Sequence, residues 1–155
     1  MDGLIDPPFS GLAPVATDYA SLPVLDGFNW DECAAGLDGG EWYLVVFRSI
    51  RRPMADAFLL EAHDYGAYAE AQRLSGLLHY FRGTPTADGR CLSFCLWESR
   101  GQALAATRTW LHREAARVAH TMYSEYALER YILRKRDRWA ALELEEIRES
   151  RPRGH

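Results

Sequence analysis

Two histidines stand where a proton could be moved. His79 sits inside the apolar run Leu77 to Arg82 (LLHYFR), and an imidazole there can act as a base or a hydrogen-bond donor near neutral pH. Its other reading is a histidine hydrogen-bonded at a sheet edge or a subunit interface. His112 follows Trp110 in an Ala-rich stretch and reads as a pocket base or as a partly exposed helical side chain. His120 lies eight residues further on, about 12 Å along a helix, too far to share a metal with His112. His63 and His155 read as surface residues.

Arg48 and Arg82 close two apolar runs. Each suits an acidic or phenolate ligand, or else an ion pair with Glu98 or Glu129. Tyr80 and Tyr131 are phenolic donors, and Trp97 can stack on a planar ligand or fill a core. Cys91 and Cys95 are four strand positions apart, about 13 Å. That distance excludes a mutual disulfide and a shared zinc, and leaves small buried apolar groups. Gly-rich phosphate loops, a nucleophile elbow and a His-Glu metalloprotease motif are absent from the sequence.

The elements that must position these residues follow from pattern. Trp42 to Ile50 (WYLVVFRSI) is β-branched and aromatic, and near-continuous apolarity makes it a central strand. Phe58, Leu59, Ala62, Tyr65 and Ala69 recur at helical spacing after Pro53. Leu77 to Arg82 and Cys91 to Trp97 make a hairpin about a turn holding Asp88-Gly89. Ser99-x-x-Gln102 is a capping box for a second helix, whose face is Ala103, Thr107, Trp110, Leu111, Ala115 and Val118. Leu128 to Lys135 is a fourth strand, and a charged helix is expected from about Asp137 to Glu149. In the third strand Leu92, Phe94 and Leu96 are expected under the helices, with Ser93, Cys95 and Trp97 on the opposite side.

This βαββαβ order predicts an α+β, ferredoxin-like fold: four antiparallel strands with both helices on one face. An uncovered apolar second face needs a partner, a ligand or both. The expected organisation is an irregular N-terminal arm (1–40), a ferredoxin-like domain (41–135), and a C-terminal helix and tail (136–155). The arm is rich in Pro and Gly but also carries Phe9, Leu12, Tyr19, Phe28 and Trp30, which suits it to lie over the domain or over a partner subunit.

The chain has 155 residues, 48% apolar and 26% charged, with a formal charge of −4, which suits a globular domain and argues against non-specific binding to nucleic acid or to an anionic membrane. No apolar run reaches the roughly 20 residues of a membrane span. Met1 to Pro8 lacks the basic and apolar regions of a leader, and three cysteines fit a reducing compartment, so a cytoplasmic location is expected.

Tyr43 to Arg48, Ser75 to Leu78, Leu96 to Ser99 with His112-Arg-Glu-Ala115, and Tyr126 to Tyr131 together resemble the dimeric α+β-barrel superfamily. Within it they resemble the antibiotic-biosynthesis-monooxygenase-like domains, over roughly residues 41–135. The resemblance implies a homodimer closed sheet to sheet. It implies pockets between sheet and helices or inside the barrel, and a hydrophobic, aromatic small molecule that is bound or oxidised without an organic cofactor. His79 or His112 would then be the base, Arg48 would steady negative charge, and Trp97, Tyr80 and Cys95 would line the site. Haem binding through His112 or His79 and a non-enzymatic ligand-binding or scaffolding dimer are the alternatives. The haem-degrading branch needs a polar residue, a Trp and a His at positions held here by Phe47, Ala106 and Ala116.

Overall fold

A computed structural model describes residues 8–73, 76–107 and 122–148. After two single-turn 3-10 segments and a short helix α1 (Trp30–Ala34), the chain runs β1 (Gly40–Arg51), α2 (Ala57–Gln72), β2 (Leu77–Phe81), β3 (Arg90–Trp97), α3 (Arg100–Thr107), β4 (Tyr123–Lys135) and β5 (Glu143–Glu146). The strands form one antiparallel sheet in the order β2-β3-β1-β4-β5. The α+β, ferredoxin-like expectation holds, with β1 central and buried on both faces through Tyr43, Leu44, Val45 and Val46.

Local signals set the helix starts. The Leu59 amide donates to Asp56 Oδ1 at 3.0 Å, so α2 is capped at Asp56, three residues after Pro53. The amide of Gln102 donates to Ser99 Oγ and the two side chains are hydrogen-bonded at 2.9 Å, which is the expected capping box. Most of that helix's expected face, from Trp110 to Val118, lies outside the described residues.

Expectations are corrected at the C-terminus, in the third strand and on the second sheet face. The charged C-terminal helix is instead a turn followed by β5, which pairs with β4 through Leu133↔Leu144. Leu142 and Leu144 both join the core while Glu143 and Glu145 stay exposed. That period of two, and the open edge of β4, override the helix propensity of Leu and Glu. The fourth strand begins earlier than expected, at Tyr123, and among the described residues the sheet has five strands, not four.

The second correction concerns the faces of the third strand. Cys95 and Trp97 pack with Tyr43, Val45, Ala103 and Ala106 on the α3 side. Leu92, Phe94 and Leu96 pack on the other side with Phe9, Leu12, Val24, Phe28 and Trp30. The more apolar set lies away from the helices because the N-terminal segment brings it a larger aromatic cover.

The third correction follows from the second: the sheet face expected to be uncovered is not bare. Phe28 meets Phe94 edge-on at a centroid distance of 5.1 Å, and Trp30 lies 5.4 Å from the same ring. Phe9 packs edge-on against Trp42 at 4.9 Å. Phe9 holds a φ of 66°, a left-handed backbone unusual for a bulky residue, so burying its ring outweighs local strain. The reason given for packing this face against a second copy therefore falls away.

Helix α2 sits on the sheet by an unexpected face. Phe58 and Tyr65 are 85% and 77% exposed, while Leu60 is buried and Tyr68 packs edge-on against Tyr80 at 4.7 Å. The helix exists where the spacing predicts it, but its most regular apolar stripe points outward.

Candidate functional site

The sheet register sorts the predicted site residues onto two sides. Tyr43↔Trp97 and Val45↔Cys95 place Trp97 and Cys95 on the α3 side, and Tyr80↔Cys95 adds Tyr80. Arg48↔Leu92 places Arg48 on the arm side. A register shift between Leu77 and His79 leaves His79 opposite Leu96, so its ring lies 5.9 Å from that of Phe94. Such a bulge re-aims a side chain that strict alternation would have put on the other face. His112 lies outside the described residues.

Arg48 holds the arm. Its Nε donates to Glu129 Oε2 at 2.9 Å, and its two terminal nitrogens donate to the carbonyls of Ala20 (3.0 Å) and Leu22 (2.8 Å). The ion pair with Glu129 foreseen as one reading of Arg48 is formed. Tyr131 completes the group by donating its hydroxyl to Glu129 Oε1 at 2.8 Å. Burial, with Glu129 beside it, pushes the Tyr131 phenol up to about 12, which keeps it a donor at neutral pH.

Trp97 and Cys95 serve each other. The indole Nε1 donates to Cys95 Sγ at 3.1 Å in the buried α3-side core. Burial pushes the Cys95 thiol up to about 12, so almost none is thiolate at pH 7 and it is a poor nucleophile. Both side chains are fully enclosed.

His79 and Tyr80 both border a cleft at the sheet edge, with their side chains turned to opposite faces. Between α2 and the edge strand β2 lies a cavity of about 230 Å³ lined by Tyr68, Gln72, Leu77, Leu78, His79 and Tyr80. Gln72 Nε2 donates to Tyr68 Oη at 2.8 Å across one helical turn. Because β2 ends the sheet, its outer backbone groups also face this side and can serve a ligand. Sequence reasoning found His79 and Tyr80 but missed Tyr68 and Gln72. Their four-residue spacing, one turn apart on α2, was the available signal.

Burial lowers the His79 pKa below the ordinary 6.5, so the ring is neutral at pH 7 and can accept a proton. The unfolded chain binds this proton at a higher pH than the folded one. Stability is therefore fully present above about 6.5 and falls as pH drops through that value, until the folded imidazole is also charged. A His79→Gln variant should show a shallower loss of stability between pH 6.5 and 5 in urea titrations; identical pH curves for the two proteins would refute this.

Among the described residues no group of three or more His, Cys, Asp and Glu is placed to hold a metal ion. No described helix is long and apolar enough to cross a membrane.

The sheet and helices define the class: this is an α+β domain with the fold of the antibiotic-biosynthesis-monooxygenase-like proteins. A solved candidate antibiotic biosynthesis monooxygenase of Caulobacter crescentus matches with a TM-score of 0.52 and 16% identity, over 61% of this chain and 91% of that one. A Shewanella oneidensis protein matches at 0.53 and 11%, over 63% and 98%. A conserved Methanosarcina mazei protein matches at 0.51 and 13%, over 58% and 90%. More particularly, the chain belongs to the PB2B2.08-like family, whose profile matches residues 3–146. UPF0643 protein PB2B2.08 of Schizosaccharomyces pombe is 31% identical over an alignment of 97 residues that covers 59% of this chain and 44% of that protein. The chain thus spans less than half the length of this curated relative.

Proposed function

We propose that the chain is a small-molecule-binding domain whose cleft between α2 and β2 takes a single-ring, hydroxyl-bearing aromatic compound. The observation that carries this reading is the meeting of Tyr68, Gln72 and Tyr80 in one cavity that His79 borders from the edge strand. The tyrosine rings would pack on the ligand's plane, and Gln72 and the β2 edge would supply hydrogen bonds to its hydroxyl. The likeness to the candidate monooxygenase of Caulobacter makes oxidation the reaction to test first.

At about 230 Å³ the cleft is smaller than the roughly 300–1,000 Å³ of sites for drug-sized ligands. That size suits one ring and gives no support to haem. The enclosed Trp97 and Cys95 and the arm-bound Arg48 favour the non-enzymatic ligand-binding alternative over a site spread across both faces.

The test is titration of the full chain with hydroquinone and catechol by heteronuclear NMR, with oxygen uptake followed in parallel. Shifts confined to Tyr68, Gln72 and residues 77–80 are expected. Tyr80→Ala should weaken binding by about tenfold, equivalent to ~1.4 kcal/mol. Saturable binding without oxygen uptake would leave a binding protein, and no shift at these residues would sink the proposal.

A further inference from the structure

We infer that residues 9–34 stand in for a second subunit: the chain closes its own sheet, and the Leu44–Leu96 face receives neither a second copy nor a ligand. This inference is independent of the cleft reading.

The cover is extensive and specific. Leu44, Val46, Leu92, Phe94, Leu96 and Leu133 are buried beneath it, and Phe94 is met by rings from both the arm and β2. The cover is also braced within itself. Asn29 Oδ1 accepts from the Ala13 amide at 2.7 Å, and its Nδ2 donates to the Gly11 carbonyl at 3.2 Å. Pro14 and Phe28 form a bridge, and the Val15 amide donates to the Gly27 carbonyl at 2.9 Å. A segment that satisfies its own backbone this way arrives as a shaped piece and loses less entropy on docking than a loose tail would.

Two polar contacts fix where the piece sits. Arg48 reaches from the middle of β1 to the carbonyls of Ala20 and Leu22 while Glu129 balances its charge. The Thr84 amide, in the turn between β2 and β3, donates to Tyr19 Oη at 3.0 Å. Arg48 is therefore a positioning residue for the arm. Lysine at this place keeps the charge but cannot bond a carboxylate and two carbonyls in the fixed geometry of a guanidinium.

The experiment uses the full chain. A one-to-one mixture of ¹³C-labelled and unlabelled protein is recorded with isotope-filtered NOESY. Contacts from the Phe94 ring to Phe28 and Trp30 are expected only within one chain. Any contact from Phe94 to another molecule, from that molecule's sheet or from an exchanged arm, would overturn the inference.

Arg48→Lys provides the second arm of the test. Amides of residues 20–30 should exchange at least tenfold faster while the β4 amides paired to β1 keep their protection. Unchanged exchange at residues 20–30 would refute the role given to Arg48. Should the variant not fold, the wild-type NOE measurement still decides the inference.

Discussion

Trp30→Ala should destabilise the protein by about 3–5 kcal/mol, the range for removing a large buried aromatic, even though the residue stands outside the βαββαβ core of the sequence. Trp30 is fully buried, packs against Phe9 and Phe94, and donates its indole nitrogen to the Val24 carbonyl at 2.9 Å. Truncation removes the ring from the centre of the interface between arm and sheet and leaves that carbonyl without its partner. Trp30→Phe separates the two losses: the ring is largely kept, and the cost should fall to about 1–3 kcal/mol, the penalty of a buried group left unpaired. Urea unfolding followed by far-UV circular dichroism measures both, with an unchanged slope indicating that the same surface is exposed in each variant. A cost below about 1 kcal/mol for Trp30→Ala would place the arm outside the cooperative fold.

The strands and the helix starts were legible because their signals are local. An apolar β-branched run, an Asp-Gly turn and a Ser-x-x-Gln box each act within a few residues. What was not legible depended on distant partners. Leu92, Phe94 and Leu96 were rightly read as the more apolar side of their strand, but which layer would cover them was decided by Phe28 and Trp30, more than sixty residues earlier. The apolar stripe of α2 led to a correct helix, though not to its inner face, because Leu60 is buried and Tyr68 meets Tyr80 while Phe58 and Tyr65 stay exposed. His79 was singled out by residue type, but its side of the sheet rests on a bulge between Leu77 and His79 that no residue of the run announces.

The C-terminal segment taught the same lesson, and its hinge residue carries the second large effect. Lys135 ends β4 and is only 5% exposed. Its Nζ donates to the carbonyls of Asp137, Arg138 and Ala140 at 2.8, 2.7 and 3.1 Å. Three carbonyls turned onto one ammonium wrap the chain around it, and that wrap returns β5 to the edge of β4. Sequence reasoning missed this because a lysine followed by Arg-Asp-Arg resembles a solvated charge run. Lys135→Met keeps most of the stem and removes the three donors. Hydrogen bonds to charged groups contribute about 1.5–3 kcal/mol, and the turn carbonyls can recover part of that from water once the loop opens, so a loss of about 1.5–3 kcal/mol is expected. The loss should also be localised. Amides of β5 that pair with β4 should exchange at the rate of an open edge, while those joining β1 to β3 lose protection only by the global change. Stability within about 0.5 kcal/mol of wild type, the range of ordinary surface substitutions, together with a protected β5, would show that the β4–β5 pairing holds the turn and not Lys135.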